Sequence, residues 1–153
     1  MGPTEYRRGS AASKSVGERP DSMQKETMKK IDEAVLIVDD DDGMRELAEV
    51  MCKQMNLKTF SASDTVAARR YLEENIPRLI LLDIMMPDGN GIEFCQWMRS
   101  QEELKNVSII VTSALKEEET IQDAFKVGAN DFLSKPFEVA IFMEKMGRWI
   151  KDK

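Results

Sequence analysis

Four places in this 153-residue chain carry side chains whose types could do chemistry together, and each directly follows an apolar run. Asp39, Asp40, Asp41 and Asp42 follow AVLIV at 34–38, and Asp83 follows LILL at 79–82. Thr112 and Ser113 follow VSIIV at 107–111, and Lys135 follows DFLS and precedes Pro136. Singly, most have an ordinary explanation. Asp41 or Asp42 suits the N-cap of a helix beginning near Gly43. Thr112 or Ser113 could close a turn, and Lys135 could be a surface cation kept extended by the proline after it. Asp83 is harder to place, because four aliphatics precede it and Ile84, Met85 and Met86 follow. Brought to one point, the set makes chemical sense. Three crowded carboxylates repel and stay partly protonated unless cations intervene. Lys135 brings one positive charge, and a hard divalent cation with oxygen ligands brings the rest. Mg²⁺ suits that role because it takes few protein carboxylates and keeps several waters. Such a site would bind a phosphoryl group and spread the charge that develops in its transfer. Asp83 would be the nucleophile that becomes an acyl phosphate.

Composition removes most competing chemistries. The chain has no histidine, so a Ser-His-Asp triad, a Cys-His dyad and every histidine-containing zinc site are excluded. Its net charge of −6 disfavours direct nucleic-acid binding. Cys52 and Cys95 form no CxxC pair and read as small buried residues on helix faces. With no signal peptide and no apolar run near 18 residues in length, neither secretion nor a membrane is expected, and the thiols should be reduced in the cytoplasm. An EF-hand register would place Val38 at its first ligand position, where it cannot coordinate. The D-x-D-x-T pattern of haloacid dehalogenase-type phosphatases fails at Gly43, and neither a P-loop nor GxGxxG is present.

The elements that must position these residues can be read from periodicity. Residues 1–30 contain no Ile, Leu, Phe or Trp and are expected to be a disordered leader or tag-like segment; 31–153 form the folded domain. Residues 1–33 carry seven basic and six acidic side chains, so the excess of acid belongs to the remainder. Short apolar runs at 34–38, 79–82 and 107–111, with weaker ones at 57–62 and 131–133, read as strands covered on both faces. Between them lie helical stripes: Met44, Leu47, Met51, Met55; Ala67, Ala68, Tyr71, Leu72; Phe94, Cys95, Met98; Ile121, Ala124, Phe125; and Val139, Phe142, Met146, Trp149, Ile150. Strict alternation of five strands and five helices predicts an α/β doubly wound parallel sheet, with ligands at the carboxyl ends of its strands.

At this point four motifs in order, VLIVDD (35–40) with MREL (44–47), LILLDIMMPDGNG (79–91), IIVTSA (109–114) and GANDFLSKPF (128–137), resemble the receiver domain of two-component response regulators, including single-domain chemotaxis-type regulators. The resemblance implies a flavodoxin-like sheet of order 2-1-3-4-5. It implies that Asp83 accepts a phosphoryl group from a phosphohistidine on a sensor histidine kinase or histidine phosphotransfer protein. Asp40 would ligate Mg²⁺ directly, Asp39 would hold metal-bound water, and the backbone carbonyl of Met85 would complete the protein's share of the shell. Thr112 and Lys135 would contact the phosphoryl oxygens, with the Lys135–Pro136 bond commonly cis. Phe132 stands where the family keeps a rotating switch aromatic; lacking a hydroxyl, it would act by packing alone. Arg45 and Glu46 take no role from the family. The output would be a shift of the face built from the fourth helix, fifth strand and fifth helix, read by a downstream protein target or an output domain missing from this chain. Met85 and Ala114, two residues beyond Asp83 and Thr112, cannot orient a hydrolytic water, which predicts a long-lived acyl phosphate. The alternatives are a binding module of the same fold that ignores phosphate, a receiver excised from a larger regulator or hybrid kinase, and a Mg²⁺-dependent phosphatase.

Overall fold

Unbroken aliphatic runs leave no polar face for solvent, so strands made of them need cover on both sides. The computed structural model, which describes residues 29–86, 89–114 and 118–151, provides that cover. Its elements in chain order are β1 (Lys29–Val38), α1 (Asp42–Gln54), β2 (Lys58–Ala62), α2 (Thr65–Leu72), β3 (Asn75–Asp83), α3 (Gly91–Arg99), β4 (Ser108–Ser113), α4 (Glu118–Lys126), β5 (Asp131–Ser134) and α5 (Val139–Lys151). The five strands form one parallel sheet in the expected spatial order 2-1-3-4-5. Alternate residues of each strand serve opposite cores. Val35, Ile37, Leu79, Leu81, Ile110 and Leu133 pack with Ala48, Met51 and Cys52 of α1 and with Phe142 and Met146 of α5. Leu36, Val38, Ile80, Leu82, Ile109 and Val111 pack with Ala68 and Leu72 of α2, Phe94, Cys95 and Met98 of α3, and Ala124 of α4. The fold is doubly wound, as the alternation predicts.

Several details depart from the periodicity. The buried row of α1 is Ala48, Met51 and Cys52, whereas Leu47 is 40% exposed; Val139 at 57% and Phe125 at 39% likewise turn outward from their stripes. A helix that packs on a flat sheet buries only a narrow row, so part of each apolar stripe stays outside. β1 begins at Lys29, ahead of the apolar run, because Lys29, Lys30 and Ile31 pair with Asn75, Ile76 and Pro77 before a register shift leads into Val35. The expected leader otherwise lies outside the described residues. β4 extends through Thr112 and Ser113, so these belong to the strand and do not follow it. Between β3 and α3 the chain forms a two-residue antiparallel pair, Met85–Met86 with Gly89–Asn90, and Glu102–Leu104 makes one 3₁₀ turn.

Both cysteines are fully buried. Burial pushes the Cys52 thiol up to about 12, helped by Glu49, and that of Cys95 up to about 11 against the pull of Arg99, which makes both chemically inert. No helix among the described residues is long and apolar enough to cross a membrane.

Two local devices hold the site's scaffold. At Gly91, an added Cβ would stand 2.4 Å from the Ile84 Cα and 2.6 Å from the Asp83 carbonyl oxygen. Only glycine lets α3 start against the backbone that follows Asp83, where the Gly91 amide donates to the Ile84 carbonyl at 3.2 Å. At the edge of the sheet, the Asp131 carboxylate accepts from the Phe132 amide at 2.8 Å, the Trp149 indole at 2.9 Å and the Lys145 ammonium at 3.1 Å, tying β5 to α5. Partial burial opposes ionisation of Asp131, but the bonds from Trp149, Phe132 and Lys145 outweigh it and hold the carboxyl below its ordinary range.

Gly91→Ala is expected to cost about 1–3 kcal/mol, because both obstructing atoms are backbone and cannot rotate away. Gly147→Ala in α5, where nothing lies within 4 Å of the added methyl, is expected to gain about 0.5–1 kcal/mol; thermal denaturation of the two variants checks the contrast. Asp131→Asn is expected to lose about 1–3 kcal/mol near neutral pH. Since the folded carboxyl ionises below the ordinary value of about 3.9, its stabilisation is complete above that pH and fades as pH falls through the folded value. Melting curves of both proteins over that acidic range should therefore converge.

Candidate functional site

At the carboxyl end of the sheet, three strand ends deliver charge to one point. β1 stops at Val38, and the Asp39 amide donates to the Ala62 carbonyl at 3.1 Å, keeping the chain beside β2 as it leaves the sheet. The acidic run then divides its labour. Asp41 is the N-cap of α1, with extended backbone and a carboxylate that accepts from the Met44 amide at 3.0 Å. Arg45 donates to the Asp39 carbonyl at 2.7 Å and also pairs with Asp42, which pins the loop. Asp39 is buried, Asp40 exposed.

Asp39 and Asp83 are built alike. One carboxylate oxygen of each accepts from the amide two residues ahead: Asp41 at 2.9 Å for Asp39, and Met85 at 3.0 Å for Asp83. The other oxygen of each meets the Lys135 ammonium, at 2.7 Å from Asp39 and 3.2 Å from Asp83. Asp83 is only 4% exposed. With Asp40, these carboxylates form a group of three in which one oxygen from each lies within 4.8 Å of one from each of the others. Thr112 is buried on β4 directly beside Asp83 in the strand register, and its carbonyl accepts from the Ile84 amide at 3.1 Å. The Lys135 amide donates to the Ser113 carbonyl at 3.1 Å, so main-chain pairing carries the lysine to the pocket, and its bond to Pro136 is cis.

The electrostatics follow from this packing. Burial raises the Asp83 carboxyl above its ordinary range and Asp39 adds to the rise, while the Met85 amide and the Lys135 charge oppose it. Burial alone would weaken the Lys135 ammonium; its bond to Asp39 and the charges of Asp83 and Asp39 reverse this and hold it above the ordinary lysine value. Three carboxylates and one ammonium leave two negative charges uncompensated. All the side-chain ligands are oxygen, so the donor set fits a hard divalent cation.

The sequence-predicted residues Asp39, Asp40, Asp83, Thr112 and Lys135 are therefore brought together. Met85 sits beside them, its amide on Asp83 and its side chain 55% exposed. Ala114 is exposed just beyond Thr112. Phe132 is half-buried against the core shared with α2, α3 and α4, two strands away from Asp83. Two positioning residues were not anticipated. Gly91 could have been suspected from its place in the glycine-rich turn after Asp83, whereas Arg45 gave no local sign of reaching back to Asp39.

Residues 35–146 match the family model of the response regulator receiver domain. The transcriptional regulatory protein GltR of Pseudomonas aeruginosa is 36% identical over 104 residues, which are 68% of this chain and 43% of GltR; the chain thus spans less than half the length of that relative. A putative response regulator from Chloroflexus aurantiacus shares the fold with a TM-score of 0.74 at 26% identity, covering 78% of this chain and 98% of that one. The Vibrio cholerae chemotaxis protein CheY4 superposes with a TM-score of 0.71 at 26% identity, covering 79% and 98%. An acidic pocket closed by a lysine at the carboxyl end of a 2-1-3-4-5 sheet, with a family match over most of the folded residues, places this chain in the response regulator receiver domain family, a signalling module and not an enzyme.

Proposed function

We propose that Asp83 is the phosphoacceptor of a two-component signalling receiver that works in the cytoplasm with Mg²⁺. The observation that carries this reading is the single ammonium of Lys135 lying between Asp83 and Asp39, with Thr112 beside them and Asp40 at the rim. The partner is a phosphohistidine on a sensor histidine kinase or histidine phosphotransfer protein; this chain has no histidine of its own. The Asp83 oxygen that faces Lys135 attacks phosphorus, the histidine N–P bond breaks, and the imidazole nitrogen keeps the electron pair and takes a proton from solvent. The Met85 amide fixes the other Asp83 oxygen and so orients the attacking one. Lys135 stays bound to Asp39 while its charge is available to the incoming phosphoryl oxygens, and Thr112 offers a hydroxyl to the same group. Asp39, Asp40, Asp83 and the Met85 carbonyl are the residues that would hold Mg²⁺, which when bound supplies the charge that offsets crowded carboxylates and phosphoryl oxygens.

The product is read at the face of α4, β5 and α5. Phe125, Val139 and Ile141 are large apolar side chains exposed there at 39%, 57% and 41%, which suits contact with a downstream protein or an output domain. Phe132 on β5 is the switch aromatic, and its only means of action is packing.

Incubation with acetyl phosphate and Mg²⁺ tests the assignment. The parent chain is expected to retain one phosphoryl group and Asp83→Asn none, as read by intact mass; labelling of both, or of neither, overturns it. Met85 and Ala114 give water no hydrogen-bonding guide to the phosphoryl group. After removal of phosphodonor, the label is expected to persist far longer than a few seconds in the presence of Mg²⁺, and decay within seconds contradicts that expectation.

A further inference from the structure

At the other end of the sheet lies a cleft of about 280 Å³, close to the lower size of small-ligand sites. Arg99, Lys105, Asn106, Ser108, Asn130 and Trp149 line it, two of them cations and none a carboxylate. Ser108 opens β4 and Asn130 precedes β5, so the cleft sits at the amino ends of the strands that carry Thr112 and lead to Lys135. Ser108 and Thr112 are separated by four strand steps, roughly 13 Å.

Among the described residues, the hydrogen-bond accounting of this cleft leaves donors over. Arg99 gives Nε to the Gly128 carbonyl at 3.0 Å, one terminal nitrogen to the Leu104 and Lys105 carbonyls at 2.9 and 3.2 Å, and the other to the Asn130 side-chain oxygen at 2.9 Å. One of its five N–H groups is uncommitted. The Asn130 oxygen also accepts from the Ile109 amide at 2.7 Å. Two donors on that oxygen fix which end of the amide is which, and the Asn130 NH₂ is left with both hydrogens to give. Ser108 is 1% exposed, and its hydroxyl has no partner. Lys105 pairs with Glu102 at 2.8 Å, but both side chains are more than half exposed, so a competing anion meets little resistance.

We propose that this cleft binds the oxyanion group, carboxylate or phosphate, of a small molecule, with Ser108, Asn130, Lys105 and the spare N–H of Arg99 as donors. An ionised carboxylate accepts only and a phosphate group mostly accepts, which is what a lining with surplus donors and no carboxylate requires. The Trp149 ring, whose N–H is committed to Asp131, supplies the apolar wall.

The test is a ¹H–¹⁵N titration of the full chain without Mg²⁺, with inorganic phosphate in one arm and succinate in the other. Saturable shifts are expected at the Ser108 amide, the Asn130 side-chain NH₂ and the Trp149 indole N–H, with affinity about tenfold weaker in Ser108→Ala and in Lys105→Gln. Saturation in one arm identifies phosphate or carboxylate as the preferred group, and saturation in both a general oxyanion site. Ser108→Ala removes only an unpartnered hydroxyl, so its melting temperature is expected to equal or exceed that of the parent, separating lost binding from lost fold. No saturable shift in either arm, or undiminished binding by both variants, overturns the proposal.

Discussion

One ammonium shared by two buried carboxylates is the constraint around which this domain is arranged. Lys135 cannot neutralise both Asp39 and Asp83, and neither aspartate can be dried out alone without heavy loss of hydration. The three strand ends must therefore converge, and the topology lets them. β1 and β3 are neighbours, while β5 lies two strands beyond β3, roughly 10 Å away. A four-carbon stem spans that gap. The long hydrocarbon part of Lys135 also lets that side chain stay largely buried while its charge reaches the carboxylates.

The same pocket shows how backbone can aim a carboxylate. Asp39 and Asp83 each spend one oxygen on the amide two residues ahead, so rotation about the last side-chain bond is arrested before any ligand arrives. Their second oxygens point where the charge is needed. Such preorganisation costs nothing at the moment of reaction. Around it, Arg45 fastens the first acidic loop and Gly91 admits α3 against the second, so both loops are braced from outside the pocket.

Much of this is legible in the amino-acid sequence. Continuous aliphatic runs forecast a sheet covered on both faces, and the polar residue ending each run forecast Asp39, Asp83, Thr112 and Lys135 as one group. Those signals are local, and local patterns survive folding. The features that escaped are relational. Leu47 belongs to the apolar stripe of α1 yet faces outward, because the sheet chooses which row of the helix to bury. The glycine-rich turn hints that position 91 is special but not that Ile84 is what crowds it, and Asp131 looks like any strand-edge carboxylate until α5 brings Trp149 and Lys145 to it. Each depends on the approach of segments distant in the chain.

The sheet also divides the interior into two compartments that share no side chains. Leu79 and Leu81 belong to one and Ile80 and Leu82 to the other, although they are consecutive in β3. Energetic coupling between substitutions is strong only among touching groups and dies away within about 7–10 Å. Changes in the helix side chains of α1 and α5 should therefore combine almost independently with changes in those of α2, α3 and α4, which lie across the whole thickness of the sheet. Sequence drift on one side of the sheet need not wait for compensation on the other.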